Sequence, residues 1–272
     1  MPAADPKFSR QLEPHLRCVM IVDPNPAAAR MLAGLMRGLG AGQLFLEADG
    51  ARALKMADSV NPDLIFVEHS GPGLDGEIFT RAIRRSTYAC RRAPVIMVTA
   101  DAFAHTIKGA RDSGVHEFLR KPFTAADLIR RVEAVTLKPR DWIEAVQYVG
   151  TDRRRFNSGE YAGKRKRCSD ATRDASDAKA IATGIDRSGR ILKSAISQFG
   201  DDPAQARRAI AEQSSLLKTT AAADPAAPPR LAVALAMLEL ANSREDAAQG
   251  TLAGLVKDVL DLIEPNAQER AA

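Results

Sequence analysis

Residues 62–76 read Pro-Asp-Leu-Ile-Phe-Val-Glu-His-Ser-Gly-Pro-Gly-Leu-Asp-Gly, and they give the clearest indication of fold in the chain. Residues 64–67 are apolar without interruption, which is typical of a strand that is covered on both faces of a parallel sheet. Glu68 stands at the end of this predicted strand. Two later stretches have a related character, Val-Ile-Met-Val-Thr-Ala at 95–100 and Phe-Leu-Arg-Lys-Pro-Phe at 118–123.

Helical patterns alternate with the apolar runs, of which 18–22 is the first along the chain. Alternation of this kind predicts βαβ units and a doubly wound α/β sheet. Thr124 is followed three residues later by Asp127, a pairing that predicts a helix N-cap with an acidic first turn. The predicted helices cover residues 26–37, 50–59, 76–85, 105–114 and 124–135.

Polar residues stand at the ends of the predicted strands. In doubly wound sheets, functional groups gather beyond the carboxyl ends of the strands. We therefore expect four polar side chains to converge on one edge of the sheet: Asp23, Glu68, Thr99 and Lys121.

The stretches 62–76, 95–100 and 118–123 resemble, in order and spacing, the receiver domains of two-component response regulators, the CheY-like family. The resemblance implies a flavodoxin-like, doubly wound, five-stranded parallel sheet. In that family an aspartate accepts the phosphoryl group at the position where this chain has Glu68. A glutamate there implies a pseudo-receiver, which keeps the fold but signals without being phosphorylated.

The resemblance also assigns a role to each converging residue. Asp23 matches one of the acidic residues that hold Mg²⁺, and Glu68 occupies the phosphoacceptor position. Thr99 matches the switch hydroxyl that follows the phosphoryl group, and Lys121 matches the ammonium that pairs with it. Phe118 takes the place of the aromatic residue that moves with that hydroxyl.

Two departures from the family pattern weaken the expected chemistry. Receivers usually carry a second acid after the first strand, and here Pro24 stands in its place and offers no side-chain oxygen to a cation that needs oxygen ligands. Glu68 would also carry its carboxylate about 1.5 Å further out than an aspartate. Phosphoryl transfer depends on a metal ion to neutralise charge. We therefore expect weak or absent Mg²⁺ binding, no resident cofactor and no phosphorylation.

The same residues also have structural interpretations. Glu68 and Lys121 would form an ion pair that holds the domain in one conformation, Thr99 would simply end its strand, and Phe118 would belong to the core. Residues 104–110 are similar to the histidine motif of phosphotransfer domains, but those domains are helical bundles. The α/β context favours an ordinary receiver helix with His105 exposed near its start.

Composition places the chain among globular proteins with two modest domains in 272 residues. Cys18, Cys90 and Cys168 are odd in number and form no CxxC pair, and the histidines show no ligand spacing, so neither a disulfide framework nor a metal site is expected. The sequence shows neither a secretory signal nor a membrane-spanning run, which predicts a cytoplasmic protein.

The positive charge of the chain is concentrated after the receiver-like region. Residues 150–168 contain seven basic residues against Asp152 and Glu160, a balance of +5 that equals the net charge of the whole chain. Aromatic residues surround them at Trp142, Tyr148 and Phe156. Guanidinium groups pair with phosphate and stack on flat rings, so these residues are candidates for anion binding. They are Arg153, Arg154, Arg155, Lys164, Arg165, Lys166 and Arg167.

Residues 148–155 are similar to an arginine-rich tail that follows some bacterial receivers. A subset of receiver-like proteins with such tails binds cyclic di-GMP, which makes a cyclic dinucleotide effector the leading alternative function. Nucleic-acid binding through the same patch is a third and less favoured alternative. A solvated basic linker without a specific ligand is equally compatible with the composition.

Beyond this segment the sequence becomes rich in alanine and leucine, with apolar residues at helical spacing. Asp202-Pro203 predicts an N-cap with proline at the first helical position. Residues 224–229 interrupt the pattern before another predicted helix at 231–241. We expect three or four helices that serve as a dimerisation element, a docking surface or a cover for the receiver.

Together these features predict an N-terminal extension (1–16), a receiver-like domain (17–137), a basic linker (138–169) and a small all-α domain (170–266). The predicted function is protein–protein signalling in a bacterial two-component or phosphorelay system, not catalysis. Its expected partners are a histidine kinase, a phosphotransferase or a downstream target protein.

Overall fold

A computed structural model of the protein describes residues 11–101, 103–138, 140–152, 173–223 and 227–264. Within these ranges the chain divides into two compact units. The first comprises 11–143 and 148–152, and the second comprises 144–147 together with the helices from residue 173 onward.

The strands are, in chain order, Cys18–Val22 (β1), Gln43–Glu47 (β2), Leu64–Glu68 (β3), Ser70–Gly71 (β4), Leu74–Asp75 (β5), Val95–Thr99 (β6), Glu117–Arg120 (β7), Trp142–Glu144 (β8) and Val149–Thr151 (β9). The first unit is built on a parallel sheet of five of them in the order β2-β1-β3-β6-β7, which confirms the predicted fold class. Strand β2, which the sequence patterns do not predict, lies at the sheet edge, where its side chains are exposed or only half-buried.

Four helices connect the strands of the parallel sheet and a fifth follows its last strand, all with bounds within two residues of those predicted. Side chains cap several of them: Asn25 accepts from the amides of Ala27 and Ala28, and Thr124 forms a capping box with Asp127. The helices are Pro26–Gly38 (α1), Gly50–Val60 (α2), Gly76–Arg85 (α3), Ala104–Ser113 (α4) and Ala125–Thr136 (α5).

The uninterrupted apolar strands are explained by burial on both faces of the sheet. In β1, Val19 and Ile21 belong to one buried cluster, while Met20 and Val22 belong to a second cluster on the other face. Strands β3 and β6 alternate between the same two clusters. Because both sets of side chains are buried, no polar residue can be accommodated until the strand ends.

The beginning of the segment predicted as a linker (138–169) is structured instead. Strands β8 and β9 form a two-stranded sheet, and Val149 and Tyr148 are buried. The Tyr148 hydroxyl donates to the Thr151 carbonyl at 2.7 Å. These apolar side chains gain more by burial than they would in a solvated linker, which explains the departure from the expected linker in this part of the chain.

The second unit contains four helices within the described residues: Arg173–Ser197 (α6), Pro203–Ala223 (α7), Pro229–Asn242 (α8) and Gln249–Ile263 (α9). Helix α7 begins at Pro203 as predicted, and Asp202 accepts a hydrogen bond from the Gln205 amide at 2.9 Å. Side chains including Leu192, Ile210, Leu235 and Val256 form the core of this unit. In the parts of the chain described, none of the helices has the length and apolar character to cross a membrane.

Candidate functional site

The parallel strands bring the predicted polar residues to one edge of the sheet. Asp23 follows β1, Glu68 and Thr99 end β3 and β6, and Lys121 follows β7. The Lys121 ammonium donates to Asp23 Oδ2 at 3.1 Å and forms a close hydrogen-bonded ion pair with Glu68 Oε2. The ion pair suggested by the sequence is therefore present, and it extends to a second carboxylate.

Lys121, Asp23 and Glu68 form a partly buried cluster. The side chain of Lys121 is 27% exposed, whereas those of Asp23 and Glu68 are 9% and 12% exposed. Burial disfavours the charged ammonium, but the hydrogen bonds that it donates to Glu68 and Asp23 outweigh this effect and raise the pKa of Lys121. The ammonium therefore stays charged across the physiological pH range.

The remaining carboxylate oxygens also have partners. Asp23 Oδ1 accepts from the Asn25 amide at 2.8 Å, and Glu68 Oε1 accepts from the His69 amide at 3.0 Å. Each carboxylate is thus hydrogen-bonded through both of its oxygens. A cation could gain either carboxylate only by displacing Lys121 or by breaking a bond to the backbone.

Pro24, at the position of the family's second acid, fills space at the same edge. Its ring lies so close to Gly71 that a Cβ added at residue 71 would fall 2.9 Å from the proline Cγ. A magnesium ion requires several oxygen ligands in near-octahedral geometry. Pro24 offers only hydrocarbon, and the carboxylate oxygens of Asp23 and Glu68 are already bonded to Lys121 and to backbone amides. The residues present therefore do not fit a magnesium site.

Thr99 and Phe118 lie on β6 and β7, the last two strands of the sheet. Thr99 is buried, and its Oγ1 accepts from the Asp101 amide at 3.0 Å, so its hydroxyl oxygen organises the loop that follows β6. Asp101 in turn accepts from Thr106 Oγ1 at 3.2 Å. Phe118 is half-buried and packs against the buried cluster that contains Met97. Sequence reasoning missed Asp101, although its position two residues after the strand is typical of a loop-forming aspartate.

A second group of polar residues connects this edge to helix α3. His69 Nε2 lies 3.5 Å from Glu77 Oε1, and Glu77 Oε2 accepts from Arg81 at 2.8 Å. A Cβ at Gly109 would approach Glu77 Oε1 to 2.1 Å, so the carboxylate rests directly against the backbone of α4. Sequence reasoning did not identify this contact, because its partners are distant in the chain.

Arg84 is the largest fully buried side chain among the described residues. The sequence patterns predict no role for it. It donates from Nε to the Gly114 carbonyl at 3.0 Å and from Nη1 to the carbonyls of Arg91 and Ala93 at 2.7 and 2.9 Å. Its Nη2 lies 3.1 Å from His116 Nδ1. Burial lowers its pKa to about 10, so the guanidinium is still charged near neutral pH.

The basic residues predicted to bind an anion lie outside the described residues: Arg153, Arg154, Arg155, Lys164, Arg165, Lys166 and Arg167. The side chain of His105 also lies outside them. Cyclic dinucleotide binding through this segment stays a prediction that a calorimetric titration with cyclic di-GMP can test. The expectation that Tyr148 contributes to this binding is wrong. Tyr148 is only 6% exposed and hydrogen-bonded within its own segment, so it is not available to stack on a ligand.

Comparison with known proteins gives a consistent result for the first unit. Residues 19–133 match the family model described as the response regulator receiver domain. The chain is 34% identical over 117 residues to the chemotaxis protein CheY of Pseudomonas aeruginosa, covering 43% of this chain and 94% of that protein. It is 29% identical over 116 residues to the DNA-binding response regulator MtrA of Mycolicibacterium smegmatis, covering 43% of this chain and 49% of that protein.

Solved structures of receivers also align with the chain. The Vibrio cholerae chemotaxis protein CheY4 aligns with a TM-score of 0.41 and 24% identity, over 43% of this chain and 96% of that one. The receiver domain of a Pseudomonas aeruginosa sensor histidine kinase aligns with a TM-score of 0.39 and 32% identity, over 42% of this chain and 93% of that one.

Proposed function

Since the chain belongs to the response regulator receiver family through residues 19–133, we propose that it is a bacterial two-component or phosphorelay signalling protein whose receiver works without phosphorylation. The observation that carries this proposal is the position of Lys121. Its ammonium is already bonded to both carboxylates at the edge where a phosphorylatable receiver would hold a metal ion and a phosphoryl group.

Two physical obstacles to phosphorylation act together. A carboxylate that attacks a phosphoryl donor must reach in-line geometry, and the Glu68 oxygens are engaged by Lys121 and by the His69 amide. Charge on the transferred group must also be neutralised, and the residues around Pro24 do not fit a magnesium ion. Either obstacle alone slows the reaction, and both apply here.

The ionic cluster also supplies a reason for a constant signalling state. A switch needs an interaction that differs between its two conformations. Here Lys121 pairs with the carboxylate of Glu68, which is a permanent part of the chain. This bond therefore needs no phosphoryl group supplied by a kinase. We infer that the receiver is held in one conformation and that regulation comes from the abundance or accessibility of its partner.

The proposed output is contact with other signalling proteins, such as a histidine kinase, a phosphotransferase or a downstream target. Within the described residues the site edge presents a saturated ammonium–carboxylate cluster, which suits structural stabilisation better than chemistry. We therefore infer a binding role for this edge of the sheet.

Incubation with acetyl phosphate and Mg²⁺ tests the proposal. Intact-mass spectrometry, after a quench that preserves acyl phosphates, should show an unmodified chain. A phosphorylatable receiver treated in parallel should gain one phosphoryl group. A gain of that mass in this chain, mapped by peptide analysis to Glu68, would contradict the proposed function.

A further inference from the structure

A cleft lies at the amino-terminal edge of the parallel sheet, at the opposite ends of the strands from Lys121. It is bordered by Pro94, just before β6, and by His116, just before β7. Its volume is about 410 Å³, within the range of small-molecule sites. Other side chains that line it are Arg92, Lys138, Arg140, Trp142 and Thr151.

The walls of this cleft are formed by well-packed residues. His116 and Thr151 are 7% and 3% exposed, and the side chain of Arg140 is 10% exposed. Strand β9 is held close to the receiver, because a Cβ at Gly114 would fall 2.5 Å from the Val149 carbonyl oxygen. The cleft is therefore a preformed concavity and not a chance gap between mobile surface side chains.

Positive charge dominates the lining. Arg92, Lys138 and Arg140 border the cleft, and no carboxylate is among its lining residues. Lys138 pairs with Glu133 at 2.9 Å. Arg140 and Arg131 both pair with the carboxylate of Glu117, so one negative charge is shared by two cations.

Two further guanidinium groups, those of Arg84 and Arg91, lie together with that of Arg92 near Trp142. The guanidinium carbons of Arg84, Arg91 and Arg92 are 5.5, 5.9 and 5.4 Å from the centre of its ring. The bonds that Arg84 makes are to neutral carbonyls and to His116, so they leave its charge uncompensated. The charge of Arg84 therefore adds to the positive potential at the cleft.

Arg140 provides an independent indication of a missing partner. Its Nη1 is buried, and within the described residues it has no hydrogen-bond acceptor. A buried guanidinium N–H without an acceptor is costly, because the group has lost its water and gained nothing in return. Arg140 also lines the cleft, so a small shift of its side chain would let an anion bound there supply the acceptor.

We propose that this cleft binds a small phosphorylated molecule of nucleotide size. Guanidinium groups form short charge-assisted bonds with phosphoryl oxygens, and Arg140 has, among the residues described, an unpaired donor for such a bond. The apolar side chains of Pro94, Val135 and Trp142 form the rest of the wall and suit a flat ring. This site is separate from the Lys121 cluster and does not depend on the proposed signalling state.

His116 gives the site a measurable response. Burial, followed by the charges of Arg84 and Arg140, holds the pKa of His116 well below its usual range. A bound phosphoryl dianion would offset the two positive charges, so binding should raise that pKa. The His116 ring signals in an NMR titration would report this change.

Calorimetric titration of the full chain with adenosine 5′-monophosphate in 150 mM salt, about the physiological ionic strength, tests the proposal, with adenosine and inorganic phosphate as comparison ligands. We expect saturable one-to-one binding of the nucleotide, weaker binding of phosphate and none of adenosine. Trp142 is the single tryptophan of the chain, so its fluorescence should change with inorganic phosphate, which does not absorb in its range. The absence of saturable binding for both phosphorylated ligands would overturn the proposal.

Substitutions then locate the site. Arg140→Gln and Lys138→Gln should each weaken nucleotide binding, the former by at least about tenfold. The side chain of Lys138 is 70% exposed, so its replacement leaves the fold intact even if Arg140→Gln does not. Arg37→Gln, the same charge change on an exposed residue of α1, should leave binding unchanged. Unaltered affinity in both cleft variants, or an equal loss in Arg37→Gln, would contradict the assignment.

Discussion

Pro24 packs against Gly71 across the carboxyl edge of the sheet, with the proline Cγ only 2.9 Å from the position that a Cβ on residue 71 would take. This contact joins the loop after β1 to the short strand β4, which follows β3. Pro24 contributes only hydrocarbon to it, and the nearby carboxylates of Asp23 and Glu68 are bonded to Lys121. The receiver fold is thus retained around a site whose residues depart from the family pattern at Pro24 and Glu68.

Restoring the acids should restore part of the reactivity. We expect Glu68→Asp alone to gain little phosphoryl group from acetyl phosphate, because Pro24 still contributes no metal ligand. The double variant Pro24→Asp with Glu68→Asp should gain more, because it supplies both the shorter nucleophile and a second acid. Intact-mass spectrometry of both variants at equal Mg²⁺ concentration checks this, and equal labelling of the two would show that the second acid is not limiting.

Removal of the shared ammonium should destabilise the receiver. In Lys121→Ala the carboxylates of Asp23 and Glu68 lose their common partner, and we expect a loss of about 1–2 kcal/mol, between the values for exposed and buried pairs. Lys55→Ala, on the exposed face of α2, should change stability by less than about 0.5 kcal/mol. Urea unfolding of both variants measures the free energy of unfolding. Equal losses in the two variants would show that the cluster does not stabilise the receiver.

The pH dependence of this contribution has a definite sign. The pKa of Lys121 is raised in the folded protein, so its stabilising effect is fully present below the unfolded pKa near 10.5 and is lost as the pH rises through the folded pKa. The stability difference between the wild type and Lys121→Ala should therefore be constant, as far as Lys121 is concerned, from pH 7 to about pH 9. A decline of this stability difference within that pH interval would indicate that another group coupled to Lys121 titrates there.

Much of this architecture could be predicted because burial on both faces leaves a simple pattern. The runs at β1, β3 and β6 are apolar throughout, and the polar residues that follow them, Asp23, Glu68 and Thr99, converge as expected. Strand β2 lies at the sheet edge with half-buried side chains, so it lacks that pattern.

Other features depended on contacts between distant parts of the chain. Arg84 and Arg85 end α3, which is a pattern typical of a solvent-exposed basic last turn. The residues that the Arg84 side chain contacts, Arg91, Ala93, Gly114 and His116, all come later in the chain. The β8–β9 pair lies in the segment predicted from its charge as a basic linker, and strands of only three residues are too short to show a recognisable alternation. In both cases tertiary packing determined the outcome, and local sequence carried no comparable signal.

Replacement of Arg84 should be severely destabilising. Arg84→Met keeps much of the side-chain volume but leaves the carbonyls of Gly114, Arg91 and Ala93 without this donor. We expect a loss of about 3–5 kcal/mol, as for breaking a buried charged network. Arg81→Met, on the same helix but 46% exposed, should cost no more than about 1 kcal/mol. Thermal unfolding monitored by Trp142 fluorescence distinguishes the two, and similar losses would refute the role of Arg84.

Packing in the helical unit can be tested on one helix. Leu235 is fully buried in the core between helices, whereas Leu240, on the same α8, is 62% exposed. Leu235→Ala should cost about 2–5 kcal/mol through lost burial and a residual cavity, and Leu240→Ala should have an effect within about 0.5 kcal/mol. Hydrogen exchange of amides in α8 and α9 localises the effect, and loss of protection in Leu240→Ala would show that its exposed side chain contributes to stability.

His116 should make the first unit sensitive to mild acid. Its Nδ1 accepts from the Val95 amide at 3.2 Å and faces Arg84 at 3.1 Å, and burial with the nearby cations keeps its folded pKa well below 6.5. The unfolded chain therefore binds a proton at this residue below about pH 6.5 while the folded chain does not. Stability should fall as the pH decreases from 6.5, by up to about 1.4 kcal/mol per pH unit for this one proton. His116→Asn keeps an acceptor near the Nδ1 position but does not titrate, so this part of the pH dependence should disappear. Urea unfolding at pH 7.5 and 5.5 measures the difference, and an identical slope in both proteins would assign the acid sensitivity to another group.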